Sequence, residues 1–239
     1  MSGSDRALRG CFVTGTDTGV GKTVVATAIV ARLRERGVAV RALKPLITGL
    51  DDPPDPVWPR DHELLARAAG STAQDTILAG YGPAVSPHLA VELAGGPPLS
   101  VAQLAADVRA ATPADATLVL EAVGGLLVPL GPDGDVRDLA VALGLPVVIV
   151  ARPGLGTINH TLLTLEAARR AELSVAGVVL TPWPEHPDAM LRSNRETIAR
   201  LGNTEVATLG RVPAPQLAAL AAAGATLPLA RWLSLPELG

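Results

Sequence analysis

The amino-acid sequence predicts an α/β protein built on a doubly wound, mostly parallel sheet with helices on both faces, a Rossmann-like three-layer arrangement. Three observations carry this. Short β-branched runs alternate with longer runs of helical spacing along the whole chain. The short runs are apolar throughout, the mark of strands covered on both faces. A glycine-bearing loop, Gly15-Thr16-Asp17-Thr18-Gly19-Val20-Gly21-Lys22-Thr23, joins the first strand to the first helix. Of 239 residues 48% are hydrophobic but only 2% are aromatic, so Ala, Val, Leu and Ile must fill the core. No stretch reads as a linker, and residues 1–239 are expected to form a single P-loop α/β domain with a flexible N-terminus over 1–9.

The elements follow in order. The first strand runs from Cys11 to Thr14, and the first helix from Lys22 to Arg36, stopped by Gly37. The second strand, Val38 to Leu43, ends at Lys44-Pro45 because proline cannot continue an internal ladder. Asp51 to Arg60 is dense in Asp and Pro and reads as an exposed loop. Asp61 opens a helix over His62 to Ala69, either as its N-cap or as a carboxylate brought to a cation. Ser86-Pro87-His88 starts another helix, where His88 is a neutral donor near substrate or a helix-start residue without a task. Leu99 to Ala111 is helical, and Thr117 to Glu121 is a buried strand. Leu126 to Leu130 with the turn Gly131-Pro132-Asp133-Gly134 suggests a short hairpin. Strands are expected at Pro146 to Ala151, Val175 to Leu180 and Glu205 to Thr208. Helices at Thr157 to Ala171 and Pro187 to Leu201 separate them, and the Ala-rich tail supplies the last helix. Thr157 reads as an N-cap, and the free N–H groups behind it suit a substrate carboxylate as well.

Bulk properties exclude several functions. The net charge is −3 with no basic block, which speaks against nucleic-acid or acidic-membrane partners. The longest apolar run, Leu139 to Ala151, is too short to span a bilayer and is broken by Gly144 and Pro146. Met1 to Gly10 lacks the apolar stretch of a secretory signal. One cysteine excludes an internal disulfide and argues against a thiolate metal site. A cytoplasmic enzyme is the expected class.

The chemistry concentrates at the glycine-bearing loop. Strand, loop and helix closed by Gly21-Lys22-Thr23 form a phosphate-binding loop in which successive N–H groups wrap a phosphate chain. Lys22 is expected to reach the outer phosphates and Thr23 to place its hydroxyl on Mg²⁺. The usual glycine six residues before the lysine is Thr16 here, and the glycine stands one earlier, at Gly15. Of 20 basic residues only Lys22 and Lys44 are lysine, the rest arginine. Where a generic cation serves, this chain takes arginine, so the two retained ammonium groups mark places that a planar fork does not fit. Lys44 stands at the carboxyl end of a strand, where ligands of open α/β sheets gather, with Thr48 and Gly49 in the same loop. A carboxylate closing an apolar strand is costly unless paired or on a metal, so Glu121 reads as a second anchor for Mg²⁺, or else as a solvated strand end. Gly124-Gly125 allow the backbone to approach a ligand closely.

These residues together resemble the dethiobiotin synthetase family. The resemblance lies in Gly-Thr-Asp-Thr-x-Val-Gly-Lys-Thr at 15–23, Lys44-Pro45-Leu46-Ile47-Thr48-Gly49, Ser86-Pro87-His88, Glu121 with Gly124-Gly125, and Leu155-Gly156-Thr157-Ile158-Asn159-His160, in the family's order over about residues 10–210. It implies a ligase of biotin biosynthesis. Such an enzyme carboxylates 7,8-diaminopelargonic acid with CO₂ and closes a ureido ring through a carbamic–phosphoric anhydride, at the expense of ATP or another nucleoside triphosphate and with Mg²⁺. By resemblance Lys22 and Lys44 are catalytic, with Thr18 and Thr48 as hydroxyl contacts near the carbamate. Thr16, Asp17, Thr18, Gly19, Val20, Gly21, Lys22, Thr23 and Glu121 hold the nucleotide, and Thr181 and Pro182 lie at its base. Thr48, Gly124, Gly125, Thr157, Ile158 and Asn159 hold the substrate, the last three across a homodimer interface. Thr23, Asp61 and Glu121 surround Mg²⁺, with Asp52 or Asp55 as alternatives to Asp61. Two departures stand out. The family's Glu-Gly-Ala-Gly-Gly is Glu121-Ala122-Val123-Gly124-Gly125 here, and the asparagine that reads adenine in many members is replaced by Thr181-Pro182-Trp183, so the preferred base is open.

A regulatory or partitioning-type ATPase switch of the same fold class is the alternative. Such switches carry an additional lysine at the place of Asp17, which this chain lacks, and have the basic surface a DNA-linked role needs. An amidotransferase of cobyrinate type would need a glutaminase domain with a nucleophilic cysteine, and Cys11 lies inside the first core strand. A nucleotide-binding module without chemistry leaves Lys44 and Glu121 without a reason.

Overall fold

The computed structural model describes residues 7–234. The flexible N-terminus expected for 1–9 lies, over residues 1–6, outside the described residues. In chain order the elements are β1 (Gly10–Gly15), α1 (Lys22–Glu35), β2 (Val40–Leu43), β3 (Leu46–Ile47), α2 (Asp61–Ala69), a 3₁₀ turn (Gln74–Thr76), β4 (Ala79–Gly80), α3 (Pro87–Leu93), α4 (Val101–Ala110) and β5 (Thr117–Gly125). Then come β6 (Pro129–Gly131), β7 (Gly134–Asp135), α5 (Val136–Leu143), β8 (Val147–Ala151), α6 (Thr157–Arg170), β9 (Val175–Trp183), α7 (Ala189–Gly202), β10 (Val206–Gly210), α8 (Leu217–Gly224) and α9 (Leu229–Trp232).

Six strands form one sheet in the order β10-β9-β8-β1-β5-β2, and every neighbouring pair is parallel. The predicted doubly wound sheet is therefore present. The chain winds from β1 outward to β2, returns through β5, then crosses to β8 and continues outward on the other side. The switch lies at β1, so the crevice at the carboxyl ends of β1, β5 and β8 is where the topology opens a ligand site.

The all-apolar strands are explained by two cores, one on each face. Cys11 and Val13 of β1 point to the face covered by α1, α2 and α8, together with Val119, Val148 and Val179. Phe12 points to the other face with Leu118, Leu120, Ile149 and Val178, under α4, α5, α6 and α7. Side chains alternate across the sheet, yet both sides are buried, so no polar residue is needed on either. Burial pushes the Cys11 thiol up to about 12, which leaves it protonated inside the sheet.

Three expectations change. The helix Val136–Leu143 was not predicted; Asp135 starts it, accepting from the N–H groups of Arg137 and Asp138 while Asp138 accepts from the N–H of Asp135. The short hairpin forms about the expected Gly131–Gly134 turn as the antiparallel pair β6–β7, but its first strand begins at Pro129 and not at Leu126. Asp61 is the first residue of α2 and not its cap, and Thr157 is likewise the first residue of α6. Arg60 holds the cap position of α2. Gly156, at φ +90°, holds that of α6, a left-handed conformation that threonine would adopt only with strain.

Candidate active site

The phosphate loop folds as its sequence asks, and the displaced glycine has a steric reason. A Cβ at Gly15 would lie 2.7 Å from Val20 Cγ2, 3.0 Å from the Asp17 carbonyl oxygen and 3.2 Å from Lys22 Cδ. The tight place is therefore at residue 15, and Thr16 has room for a side chain. Gly19 and Gly21 take positive φ, and Gly21 caps α1, so the first N–H groups of that helix point into the loop. Val20 is buried and anchors the loop from below. Lys22 Nζ donates to the Asp17 carbonyl oxygen at 2.9 Å and so lies folded across the loop. Burial lowers the pKa of its ammonium from the ordinary lysine value.

Beside the loop, four side chains from four elements converge. Lys44, just beyond β2, donates to Glu121 Oε1 at 2.6 Å and to Asp61 Oδ2 at 2.5 Å. Thr23 Oγ1 donates to the same Glu121 oxygen at 2.8 Å. Glu121 is fully buried in β5, and its Oε2 has no protein partner. Burial opposes the charge on Lys44, but Glu121 and Asp61 outweigh it and hold the ammonium above its ordinary pKa. Asp61 is held below the carboxylate range, since Lys44 overcomes the effect of burial. Glu121 is pushed up by burial, which Lys44 only partly offsets. Lys44 is thus an ammonium set between the two acids, with Glu121 Oε1 accepting from both Lys44 and Thr23.

These groups fit Mg²⁺ in chemistry. Apart from Lys44, the set offers hard oxygen donors, the Asp61 and Glu121 carboxylates and the Thr23 hydroxyl, and Glu121 Oε2 is buried without a protein partner. Magnesium with a bound triphosphate needs no more, since it is held by one or two carboxylates plus phosphate and water. Among the described residues no group of three or more His, Cys, Asp or Glu forms a denser metal cluster.

The four residues open into a cleft of about 810 Å³. Of the residues singled out from sequence, Thr18, Gly19, Gly21, Lys22, Thr23, Lys44, Thr48, Asp61, Glu121 and Gly124 line it, as do Ser86 and Pro87. Asp52 and Asp55 also line it, but neither joins the Lys44 ion pairs, and Asp55 instead accepts from the N–H groups of Val57 and Trp58. Gly125 pairs with Gly15, and a Cβ there would sit 3.3 Å from the Gly15 carbonyl oxygen. His88 is exposed and does not line the cleft. Thr16, Asp17, Thr157 and Pro182 line a second cleft of about 500 Å³ on the β8 side of the loop, with Arg152 and His160. Ile158 and Asn159 line neither cleft, so within one chain the Thr157–Asn159 segment does not meet Lys44. Thr181 is buried against the loop: a Cβ at Gly21 would lie 2.9 Å from its Cγ2.

Two cations at the site were not singled out from sequence. Arg152, just past β8, pairs with Asp17 Oδ2 at 2.8 Å, while Asp17 Oδ1 accepts from the N–H of Thr18 at 2.7 Å. Arg60 lines the main cleft and binds the loop before it. The position of Arg152 at a strand end carried a signal, the one used for Lys44. Arg60 carried none, because it closes a segment that reads as plain exposed loop.

Residues 9–220 match the family model of the AAA domain. The chain is 44% identical over 190 residues to the ATP-dependent dethiobiotin synthetase BioD of Mycobacterium avium (strain 104), covering 79% of this chain and 81% of that protein. It is 43% identical over 196 residues to the same enzyme of Anaeromyxobacter dehalogenans (strain 2CP-1), covering 81% and 86%. The chain belongs to the dethiobiotin synthetase family. With the protein of Mycobacterium marinum the family match extends over 219 residues at 40% identity, 91% of this chain and 89% of that one. Solved structures with the same fold are Cyanthece apo McdA and a ParA family ATPase from Chlorobium tepidum TLS. They share 14% and 11% identity, each at a TM-score of 0.50, covering 97% and 95% of this chain and 95% of each of theirs. Those likenesses show the P-loop architecture alone. The dethiobiotin synthetases named above share sequence over most of the chain, and the switch-ATPase alternative is not favoured. Among the described residues no helix is long and apolar enough to cross a membrane.

Proposed function

We propose that the chain makes the ureido ring of dethiobiotin from 7,8-diaminopelargonic acid, CO₂ and a nucleoside triphosphate. The observation that carries this is Lys44, buried beside the phosphate loop and bonded to both Asp61 and Glu121. The additional lysine of a switch ATPase would stand at the place of Asp17, inside the loop itself, whereas this chain sets its second ammonium outside the loop, at the end of β2. A carbamate-to-phosphoryl transfer needs an ammonium there, because two anionic reactants must be brought together.

The steps balance without a protein nucleophile. One substrate amine adds to CO₂, forming an N–C bond and losing a proton, which gives a carbamate. A carbamate oxygen attacks the γ-phosphorus, and the bond to the β–γ bridging oxygen breaks with its electron pair leaving on the nucleoside diphosphate. The second amine attacks the carbonyl carbon of the anhydride, phosphate departs with the C–O pair, a proton is lost, and the ring closes. Lys22 leaves the Asp17 carbonyl to meet the γ-phosphate, and Lys44 holds the carbamate against the phosphoryl group it attacks. Thr18 and Thr48 offer hydroxyls to the carbamate from two walls of the cleft, and Gly124 lets the backbone come close. Thr23, Asp61 and Glu121 would hold Mg²⁺, which when bound neutralises charge on the β- and γ-phosphates. Thr157 to Asn159 bind the substrate carboxylate from a second copy of the chain. Thr181 presents no amide to a base, so base selection is looser than an asparagine would impose.

The test is phosphate release with Mg²⁺ and bicarbonate, with and without the diamine, across ATP, CTP, GTP and UTP. Release that requires the diamine, is abolished by chelation and yields a product of ureido mass supports the reading. Release indifferent to the diamine overturns it in favour of the switch ATPase.

A further inference from the structure

One wall of the main cleft has no part in the chemistry above. It is the loop between Thr48 and α2, and its shape is set by Arg60. The Arg60 guanidinium donates from Nη1 to the carbonyl oxygen of Gly49 at 3.0 Å, and from Nη2 to those of Leu50 at 2.9 Å and Asp52 at 2.7 Å. The N–H of Arg60 donates to Glu63 Oε2 at 3.1 Å, closing the first turn of α2. The next residue is Asp61, which meets Lys44. On its other edge the loop is laced to a second segment. The N–H of Gly49 donates to Pro83, that of Leu50 to Tyr81 and that of Asp51 to Gly82, at 3.0, 3.1 and 2.9 Å.

The identity of Arg60 says little by itself, since the chain uses arginine wherever it needs a cation. Its place says more. A helix start carries partial positive charge and favours acids, so a guanidinium at the cap position of α2 works against the helix. The three carbonyl oxygens are met from two guanidinium nitrogens fixed in one plane, a spread of donors that arginine has and the single nitrogen of lysine lacks. Bonds from a charged donor are also about twice as strong as neutral ones.

We propose that Arg60 is a positioning residue for the reaction: its fork ties the Gly49–Asp52 turn to the start of α2, so that Thr48 and Asp61 face the substrate as one unit. The proposal rests on the functional reading above. Without the fork, the turn keeps its bonds to 81–83 but loses its link to α2, and the substrate wall moves relative to the carboxylate. The phosphate loop is untouched.

The experiment compares full-length wild type with Arg60→Ala and Arg60→Lys. Both variants should raise KM for the diamine on the order of tenfold or more, since small misplacements are costly in a positioned site. Affinity for a fluorescent nucleotide, measured without diamine, should stay within about twofold, because the loop N–H groups that hold phosphate are unchanged. Millimolar ethylguanidinium should restore part of the Arg60→Ala loss, and ethylammonium should not. Unchanged diamine KM in both variants overturns the proposal, and so does a fall in nucleotide affinity equal to the rise in KM. If Arg60→Ala fails to fold, Arg60→Lys keeps the charge and stem and decides the matter. Should wild type show no diamine-dependent release, the functional reading fails. Hydrogen exchange over 49–52 then decides the clamp: faster exchange in the variants upholds it, and identical exchange removes it.

Discussion

Lys44 holds its charge between two carboxylates in a nearly closed space, at 5% exposure. That geometry explains why a chain so rich in arginine keeps a lysine here. An ammonium reaches Glu121 and Asp61 at 2.6 and 2.5 Å, whereas a guanidinium would have to displace one of them or Thr23. Lys44→Arg and Lys44→Ala should therefore both lower kcat by roughly 10²-fold or more, the usual loss when one charge-stabilising donor is removed. Lys44→Ala also leaves Glu121 buried with only Thr23, which should lower stability by on the order of 3 kcal/mol. Steady-state phosphate release and thermal denaturation read the two effects, and near-normal turnover by a folded Lys44→Arg protein would refute the size argument. Lys44 and Glu121 were legible in sequence because each breaks a local expectation: a rare residue type, and an acid at the end of an apolar strand. Asp61 was legible only as a choice between cap and ligand, since both readings fit an acid before a helical run. Arg60 was not legible at all. Its partners are carbonyl oxygens 8–11 residues away, and their directions exist only once the turn has folded.

At the scale of elements, strand, loop and helix form the phosphate site in an order that sequence made plain, while the reason for the displaced glycine needed coordinates. The side chain of Val20 turns down and fills the space beneath residue 15, so the glycine requirement moves one residue toward the strand. Gly15→Ala should thus force Val20 or the Lys22 stem aside. A strain of about 1–3 kcal/mol is normal for such overpacking, and if it falls wholly on the loop it weakens nucleotide binding by roughly ten- to hundredfold. Thr16→Gly, which restores the usual spacing, should leave binding nearly unchanged. Calorimetric titration of both variants with nucleotide checks this, and equal affinities for Gly15→Ala and wild type would remove the steric account. The helix Val136–Leu143 escaped detection for a related reason. Its cap, Asp135, stands in a turn that also reads as hairpin, and its apolar face merges with the following strand until Gly144 takes φ +67° and separates them.

For the whole molecule, alternation of elements in sequence implied a parallel sheet, but not that β5 inserts between β1 and β2. That insertion is a long-range choice, and it brings Glu121 beside the phosphate loop: Val13 of β1 pairs with Glu121 itself. The same sheet sends the start of α6 to the β8 side of the loop, away from Lys44. If Thr157 to Asn159 hold the substrate carboxylate, they do so in the cleft of another copy. Leu155, 93% exposed at the tip before α6, is an apolar residue that such a contact would cover. A two-fold pairing is reciprocal: each chain lends its α6 start to its partner and borrows one back. This makes a quantitative forecast. Lys44→Ala and Asn159→Ala each damage both sites of their own homodimers. In a mixed dimer one site combines the intact Lys44 of one chain with the intact Asn159 of the other, while the second site carries both lesions. Equal mixing with free exchange makes about half the dimers mixed, so activity should return to about a quarter of wild type at saturating nucleotide and limiting diamine. Affinity capture through a tag on one variant shows whether mixed dimers have formed. If they have formed and no activity returns, each chain completes its own site, and α6 has to be assigned to structure alone.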